Sequence, residues 1–358
     1  MERFRDVLDR CWLSNNGPFV QEFEARIAQY LGVRNCIAVS NATIGVQLAI
    51  HGLGLSGEVI VPSFTFPATV HALAWQGLRP VFCDIDPATH NLDPAAVERL
   101  IGPETTGILG VHVWGNPCAI DALATIAKKH RISLLYDAAH AFGCAHDDRM
   151  IGNFGDAEVF SFHATKFVNA GEGGAITTND DDLAARLRRL RNFGIENEQV
   201  QGIGINGKMS EFSAAMGLTS LESCDEFIAR NKANYAAYER ALASVRGIEL
   251  FSIPARDRRN QQYVVAQVDE REAGISRDGV MVAIHKENVL AKRYFFPGCH
   301  RIEPYVSSPD ARWAHLPHTE RISERLLQLP TGTAVSQTDI ARIGDLLMHL
   351  TARARKAA

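Results

Sequence analysis

The chain has 358 residues, 46% of them hydrophobic and 22% charged, and its 37 basic and 41 acidic residues leave a net charge of −4. This composition is typical of a globular protein with enough apolar material for one large core and a second, smaller one. The charge balance argues against a nucleic-acid-binding surface or a polybasic membrane patch. Apolar runs such as 108–113 are too short to span a bilayer. The first six residues lack the apolar core of a signal peptide, so we expect a cytoplasmic protein.

The cysteines and histidines form no recognisable metal or redox motif. The seven cysteines occur singly, without the short spacing of a zinc site or a redox pair. None of the 13 histidines forms an i, i+4 pair with a glutamate between the two. We therefore expect no metal site and predict mostly buried free thiols in a reducing compartment.

Between residues 19 and 190, short β-branched runs alternate with helical stretches. Helices are predicted over 19–31, 42–53, 68–75 and 120–130, and strands over 35–40, 58–61, 80–84, 106–111 and 132–136. Strands that alternate with helices at this spacing indicate a mainly parallel sheet covered on both faces. Such sheets bind ligands at the carboxyl ends of their strands.

The pattern changes in the second half of the chain. Residues 209–245 contain little glycine and predict one or two long helices. Residues 263–268 then predict a strand, and 334–350 a closing helix. We predict an α/β protein with a large domain over residues 1–245 and a smaller C-terminal α/β domain over 246–358. No linker separates the two, so they should pack firmly.

Two charged residues follow predicted strands. Asp137 comes directly after the strand predicted over 132–136. Lys166 comes five residues after Ser161, where a second apolar strand ends. Taken singly, the lysine is most simply a solvated loop residue and Asp137 a helix N-cap. However, a carboxylate at the end of a buried strand is costly without a partner. Asp137 could hold a cofactor's pyridine nitrogen protonated, and Lys166 could converge on the same site.

Two turns in the N-terminal half are suited to other parts of one ligand. Ser40-Asn41-Ala42-Thr43 precedes a predicted helix, and the N–H groups and dipole at a helix N-terminus bind phosphate. The turn at 61–69 contains Phe64 and Phe66, either of which could stack on a flat ring. Taken alone, the first motif is more often a plain helix cap, and the two phenylalanines are more often core residues.

Together and in this order, these motifs resemble the sugar aminotransferases of the DegT/DnrJ/EryC1/StrS group, which have the aspartate-aminotransferase fold (fold type I). The resemblance extends from residue 14 to residue 332. Its most specific parts are Asp137-Ala138-Ala139-His140-Ala141-Phe142-Gly143 and Ser161-Phe162-His163-Ala164-Thr165-Lys166. The stretches 169–175 and 206–211 add to them.

The resemblance implies a pyridoxal 5′-phosphate (PLP)-dependent aminotransferase, with pyridoxamine phosphate as the intermediate form of the cofactor. Lys166 would bind PLP covalently and later move a proton at the substrate carbon. Asp137 would pair with the pyridine nitrogen, which keeps the ring an electron sink. His163 would lie near the reacting centre.

The resemblance also implies the rest of the cofactor site. Phe66 would stack on the ring, and His140 would lie near its phenolic oxygen. The phosphate would be held by Ala42, Thr43 and Ser161. Asn206 would reach the phosphate bound by the partner subunit, so the resemblance implies a homodimer with shared active sites.

Three features depart from the commoner family pattern. Asn41-Ala42-Thr43 stands where Gly-Thr-Ala is common, so backbone donors would do most of the phosphate binding. Lys208 replaces an arginine, which keeps the charge but loses the bidentate fork. A segment that often precedes the first helix is absent, so we expect the first residues to be poorly ordered.

The form of 161–166 and the stretch 287–300 resemble the members that act at C4 of dTDP-4-keto-6-deoxy-D-glucose, with L-glutamate as the donor. Four basic residues could contact the diphosphate, although a solvated basic face explains them equally well. Three aromatic residues could pack on the base or the sugar, although core packing is more usual. The basic residues are Lys292, Arg293, His300 and Arg301, and the aromatic ones are Tyr294, Phe295 and Phe296.

Other functions remain open at this point. A 3-aminotransferase would use the same cofactor residues, whereas a dehydratase relative would have histidine in place of Lys166. A non-catalytic regulatory or binding protein could retain the fold, but it would not need Asp137, Lys166 and Asn206 together. A nicotinamide-binding fold is disfavoured because no Gly-x-Gly-x-x-Gly follows the first strand.

Overall fold

A computed structural model describes residues 1–252, 258–308 and 315–357. The helices in these ranges are α1 (Glu2–Asp9), α2 (Pro18–Leu31), α3 (Ala42–Gly52), α4 (Pro67–Ala74), α5 (Pro94–Leu100), α6 (Ile120–His130), α7 (Asp181–Arg191), α8 (Glu211–Glu222), α9 (Cys224–Leu242), α10 (Glu270–Ala273), α11 (Arg277–His285), α12 (Pro317–Arg325) and α13 (Gln337–Ala357). The strands are β1 (Asn35–Val39), β2 (Glu58–Pro62), β3 (Arg79–Cys83), β4 (Thr105–Val111), β5 (Ser133–Asp137), β6 (Ala145–His146), β7 (Arg149–Met150), β8 (Ala157–Ser161), β9 (Gly174–Thr178), β10 (Ile195–Glu196), β11 (Gln199–Val200), β12 (Ile248–Leu250), β13 (Val264–Val268) and β14 (Leu326–Leu329).

A seven-stranded sheet forms the centre of the molecule, with the strand order β1-β9-β8-β5-β4-β2-β3. The pairs β2–β3, β2–β4, β4–β5 and β5–β8 are parallel, whereas β9 is antiparallel to both β8 and β1. The predicted mainly parallel, mixed sheet is therefore confirmed. Because β2, β4, β5 and β8 run the same way, the residues at their carboxyl ends, Pro62, Val111, Asp137 and Ser161, lie at one edge of the sheet.

Apolar side chains cover both faces of this sheet. The period of two along β2 sends Ile60 into the core beneath α2, α5, α6 and α8, and sends Val59 and Val61 into the core beneath α3, α4 and α7. All three valine and isoleucine side chains are fully buried. A strand buried on both faces is a continuous apolar run, which is why 58–61 could be predicted without alternation.

Helix boundaries follow from local chemistry. The side chains of Asn41, Asp93, Asp180, Ser210, Asp269 and Ser276 accept N–H groups from the first turns of α3, α5, α7, α8, α10 and α11. Proline begins α2, α4, α5 and α12, where its missing N–H is not needed. Helix α2 stops at Gly32, which has a φ of 64° that a residue with a Cβ adopts at a cost.

A second, antiparallel sheet of order β12-β13-β14 lies in the C-terminal part of the chain. Residues of α9, α11 and α13 share its apolar core. The predicted strand at 263–268 corresponds to β13, and the predicted closing helix to α13, which continues to Ala357. For residues 209–245, where one or two long helices were predicted, the structure has two, α8 and α9, which meet at Ser223. The domain boundary at residue 245 stays a prediction.

The expectation of a poorly ordered N-terminus is wrong. Residues 2–9 form α1, whose Val7 is buried. Arg3 forms an ion pair of 2.6 Å with Glu222 in α8, and the ring of Phe4 lies 5.6 Å from that of Phe212. The sequence analysis did not predict α1, because this short helix has no side-chain cap and is stabilised by its contacts with α8.

None of the helices in the described ranges combines the length and apolar character that spanning a bilayer requires. The elements that the sequence analysis did not predict are helices α1, α5, α7, α10, α11 and α12 and strands β6, β7, β9, β10, β11, β12 and β14. The seven cysteines are free thiols, and all of them except Cys11 are buried, as predicted.

Candidate active site

A cavity of about 620 Å³ opens at the carboxyl edge of the large sheet. Its walls come from the carboxyl ends of β4, β5 and β8, from the first turns of α3 and α4, and from residues 263 and 294–295 of the C-terminal part. This volume is within the usual range for small-molecule sites. The cavity therefore collects residues that lie more than 200 positions apart in the sequence.

Asp137 is the last residue of β5, and its carboxylate lies in the cavity wall. Thr69 donates its hydroxyl to Oδ2 at 2.7 Å, and the backbone N–H of Ala139 donates to Oδ1 at 3.0 Å. Thr65 supports Thr69 through a hydroxyl–hydroxyl contact of 3.0 Å. Within the described ranges no basic side chain lies within 4.0 Å of this carboxylate, so a buried anion holds only neutral donors. Such a group is suited to a cationic N–H on a ligand.

Lys166 reaches the same cavity from the loop after β8. Its Nζ donates a hydrogen bond of 2.9 Å to the hydroxyl of Tyr263. Burial lowers the pKa of Lys166 from 10.5 to about 8, the charge of Asp137 opposes this shift, and the charge of Lys292 adds to it. A lysine with such a pKa supplies far more neutral amine near neutral pH than an ordinary lysine does, as carbonyl chemistry requires.

The N-terminus of α3 forms another wall of the cavity. The side chain of Asn41 caps this helix by accepting the N–H of Ile44 at 2.9 Å. Ala42 and Thr43, at the first turn, line the cavity together with Ser161 from the end of β8. First-turn N–H groups and the positive end of the helix dipole make this wall suitable for a phosphate.

Two rings of different exposure border the cavity. Phe66 is 56% exposed although it precedes α4 in the middle of the fold, so a phenyl face is available to a ligand. His140 is buried, and its Nδ1 accepts the backbone N–H of Trp114 at 3.3 Å. Burial and then the positive charge of Lys166 lower the pKa of His140 well below 6.5, so this ring is neutral.

His163 and Asn206 occupy more peripheral positions. His163 lies at the exposed rim of the cavity, where its Nδ1 is 2.9 Å from the hydroxyl of Thr165 and its Nε2 is 3.7 Å from Glu172. Asn206 does not line this cavity; it is exposed and pairs with Asn192 through an isolated β-bridge. The chain thus brings all the other predicted site residues together, but not Asn206.

The predicted basic group for a diphosphate is mostly engaged inside the protein. Arg293 lies 3.2 Å from Asp278, and Arg301 lies 2.7 Å from Glu320. His300 is buried, and its Nε2 lies 3.2 Å from the same Glu320. Among these four residues only Lys292 has no carboxylate within 4.0 Å in the part of the chain that the structure describes. The aromatic residues differ as well: Tyr294 and Phe295 line the cavity, and Phe296 packs under Arg277 and Arg293.

Several site residues could not be found from sequence motifs. Thr69 lies within the turn at 61–69, but nothing local indicates that it contacts Asp137. Tyr263 precedes β13 of the other sheet, so only the packing of the two sheets places it beside Lys166. Trp114 follows the carboxyl end of β4, and its position at a strand end was the one available signal.

These walls fit a flat, phosphorylated ring. A flat pyridine ring could place its protonated nitrogen at Asp137, a carbonyl carbon near Lys166, one face against Phe66 and a phosphate at the N-terminus of α3. The fold and the site thus define a PLP-binding enzyme of fold type I.

Comparisons with known proteins identify the particular group. The DegT/DnrJ/EryC1/StrS aminotransferase family matches residues 1–348. The chain belongs to this family, and it is therefore a PLP-dependent aminotransferase.

Individual relatives match over nearly the full chain. The structure of DesI in the presence of its TDP-sugar product is similar, with a TM-score of 0.95 and 52% sequence identity over 99% of this chain and 90% of that chain. The dTDP-4-amino-4,6-dideoxy-D-glucose transaminase of Shigella dysenteriae is 36% identical over 99% of this chain and 96% of its own. The GDP-perosamine synthase of Caulobacter vibrioides is 34% identical over 94% of this chain and 91% of its own.

Proposed function

We propose that this chain transfers an amino group from L-glutamate to C4 of a dTDP-4-keto-6-deoxyhexose. Lys166 would hold PLP covalently, and pyridoxamine phosphate would be the other form of the cofactor. The observation that carries the proposal is a single cavity in which Lys166, with its pKa near 8, and the buried carboxylate of Asp137 face the same space. The reducing environment indicated by six buried free thiols is consistent with action in the cytoplasm.

The identity of the sugar is supported by the relatives. The Shigella transaminase carries a dTDP-linked 4-amino sugar in its name, and the DesI structure was determined in the presence of its TDP-sugar product. The Caulobacter relative is named for a GDP-linked sugar, so a guanosine nucleotide is the first competitor to test. Lys292 is the basic residue that we assign to the diphosphate, because its amine has no carboxylate partner among the described residues.

When it is bound, PLP supplies an electron sink for the substrate carbon that carries the amine. Asp137 would keep a positive charge at the pyridine nitrogen, because its direct hydrogen-bond donors, Thr69 and Ala139, are both neutral. Lys166 Nζ accepts a proton from the substrate carbon and returns it, which its lowered pKa permits near neutral pH. Phe66 would pack on the ring, and Ala42, Thr43 and Ser161, which line the same cavity, would hold the phosphate. His163, at the rim, contacts the incoming substrate.

We also propose that the active unit is a homodimer. The segment before Asn206 exposes an apolar surface: Phe193 is 47%, Val200 73% and Ile203 84% exposed. Large apolar side chains exposed in one short segment are consistent with a protein interface. Asn206 lies in the same segment and outside its own cavity, which is consistent with a role in the partner's site.

The first test is the absorbance spectrum of the purified protein, followed by additions of L-glutamate and then dTDP-4-keto-6-deoxyglucose. We expect a cofactor band that shifts with glutamate and returns with the keto sugar. A shift without a return would contradict the assigned acceptor and favour a 3-keto or GDP-linked sugar. A protein with no band after PLP is added would contradict the proposed activity and favour a non-catalytic role.

The shared site is tested with two inactive variants. Lys166→Ala removes the lysine of a subunit's own site, and Asn206→Ala removes the residue that the subunit adds to its partner's site. When the two proteins are mixed at random, each heterodimer has one site in which both residues are wild type. About a quarter of the wild-type activity should therefore appear after mixing. Mixing Lys166→Ala with Asp137→Asn is the matched control, because both residues act in the same chain. Equal recovery in the two mixtures would mean that Asn206 does not act across the interface.

A further inference from the structure

His140 has one ring nitrogen held by the main chain. Because Nδ1 accepts the N–H of Trp114 at 3.3 Å, this nitrogen carries no proton in the arrangement observed. A neutral imidazole then has its proton on Nε2. The ring is neutral because burial and the nearby charge of Lys166 both lower its pKa. The environment of His140 therefore selects one of the two neutral tautomers.

The second nitrogen of His140 faces the cavity. The ring belongs to the cavity wall, and Nε2 has no hydrogen bond to any residue in the described ranges. Nε2 is nevertheless absent from the set of fully enclosed polar atoms that lack a partner. It therefore keeps some accessible surface, and a ring that lines the cavity can offer this N–H to an acceptor there.

The hydrogen bond depends on an unusual backbone conformation at Trp114. This residue has a φ of 61° and a ψ of 12°, in the left-handed region that residues with a Cβ rarely adopt. Gly115 continues the turn with a φ of 78°, and a Cβ at this position would lie 2.9 Å from the carbonyl oxygen of His140. The turn is thus folded tightly against His140, and the strained residue must be held by its surroundings.

The indole of Trp114 supplies that restraint through a second buried histidine. Its Nε1–H donates to Nδ1 of His90 at 3.1 Å. His90 is fully buried and stacks on Phe251 at 3.9 Å, so the acceptor is itself fixed. The indole also stacks on Phe295, with ring centres 5.3 Å apart and planes at 10°. Trp114 therefore connects His90, through its side chain, to His140, through its main chain.

We propose that Trp114 and His90 are positioning residues that hold His140 in the tautomer with its proton on Nε2, so that His140 donates a hydrogen bond to an anionic oxygen of the cofactor. The nature of the acceptor rests on the proposed function. The tautomer does not, because it follows from contacts within the chain. A histidine at this position is useful as a donor only while the Trp114 N–H occupies Nδ1.

The tautomer can be measured directly. Protein labelled with ¹⁵N-histidine is examined by long-range ¹⁵N–¹H correlation spectra, without and with PLP, and the signals of His140 are assigned from a His140→Gln variant. We expect an unprotonated Nδ1 and a protonated Nε2 in the wild type. A protonated Nδ1 in the cofactor-free protein would overturn the proposal.

Two variants should remove the hydrogen bond between Trp114 and His90, and a third should keep it. His90→Leu removes the acceptor of the indole, and Trp114→Phe removes the donor while keeping a ring; both should give His140 a mixture of tautomers. His90→Gln keeps an acceptor and should retain the wild-type tautomer. Thermal unfolding identifies any variant that fails to fold, and the two His90 variants suffice if Trp114→Phe does not fold. An unchanged tautomer in His90→Leu would overturn the positioning role.

The bound cofactor gives a second readout. A donor to an anionic oxygen favours the deprotonated form, so its loss in His90→Leu should raise the pH midpoint of the cofactor absorbance by about one unit. The value of kcat/KM should fall roughly tenfold, as expected for one hydrogen bond to a charged group. Failure of the proposed function would be distinct: the protein would show the expected tautomer but no response to substrates. An expected tautomer with an unmoved midpoint in His90→Leu would overturn the assigned acceptor.

Discussion

Two polar clusters follow the carboxyl ends of strands in the large sheet, and they differ in whether their hydrogen bonds are complete. Beyond β2, Ser63 Oγ lies 2.6 Å from Nδ1 of His300, whose Nε2 lies 3.2 Å from Glu320. A serine, a histidine and a carboxylate in this order resemble a hydrolytic triad. We call these three residues the clamp. Beyond β5 and β8, Asp137 and Lys166 form the cavity site.

The clamp is closed, and the cavity site is open. Ser63 is fully buried and also accepts the backbone N–H of His300 at 3.0 Å, and Glu320 is paired with Arg301 as well. No substrate can reach a serine in that position, so the clamp attaches the segment around α12 to the loop after β2. In the cavity, by contrast, no basic side chain of the described residues lies within 4.0 Å of the Asp137 carboxylate. The site that can bind a ligand is the one whose polar groups still have free hydrogen-bonding or ion-pairing capacity. The residue types alone do not show which of the two clusters this is.

Removing the central residue of the open site should have the largest effect. We expect Lys166→Ala to lower kcat by about 10³-fold or more, because an acid–base group contributes about 10²–10⁴-fold and this lysine also binds the cofactor. Steady-state kinetics with glutamate and the keto sugar measure the loss. Lys129→Ala, which changes an exposed lysine paired with Glu98, is the matched control and should retain the wild-type rate. Substantial turnover by Lys166→Ala would disprove the assignment.

The same lysine should destabilise the cofactor-free fold. Its pKa is about 8 in the fold and 10.5 as a free side chain, so the unfolded chain binds more protons between these values and stability increases with pH there. Below pH 8 the penalty is about 3 kcal/mol, at about 1.4 kcal/mol per pKa unit. Lys166→Met should therefore unfold in more urea than the wild type at pH 7, with the gain lost near pH 10.5. A gain that did not depend on pH would contradict this explanation.

Substitutions in the clamp should lower stability and leave turnover nearly unchanged. We expect His300→Ala to lose about 2 kcal/mol of stability, because it leaves Ser63 and Glu320 with unsatisfied groups. Turnover per folded molecule should change by less than about threefold, since the clamp does not touch the reacting atoms. Urea unfolding and kinetics at low temperature separate the two quantities. Ser63→Ala is the milder comparison; a loss of turnover with unchanged stability in either variant would make the clamp catalytic.

The smallest effect is expected at Tyr263, which holds Lys166 by one hydrogen bond. Burial raises the pKa of Tyr263 well above 10, so the phenol is neutral and accepts from the lysine. Tyr263→Phe should lower kcat by about fivefold, equivalent to about 1 kcal/mol, with little change in KM. Tyr235→Phe loses a hydrogen bond to the carbonyl of Phe251 outside the cavity and serves as the control. Equal effects of the two changes would exclude a specific role for Tyr263.

Much of the large sheet could be predicted because its determinants are local. The helix predicted over 120–130 has the same limits as α6, and the strand predicted over 58–61 ends one residue before β2 does. Caps such as Asn41 and the apolar runs between them are visible within a few residues. The carboxyl-edge rule for parallel strands then indicated that Asp137 and Lys166 would meet. The docking of α1 was missed because it depends on α8.

The sequence by itself determined the alternation of strands and helices, the strand ends that carry Asp137 and Lys166, and the family to which the motifs belong. Only the tertiary structure decided which polar groups remain available to a ligand. His140 and His300 are both buried histidines, yet one presents a nitrogen to the cavity and the other has both nitrogens engaged. Burial, pKa and tautomer depend on contacts between residues such as Lys166 and Tyr263, 97 positions apart. These contacts exist only after the two sheets have packed, so no local pattern encodes them.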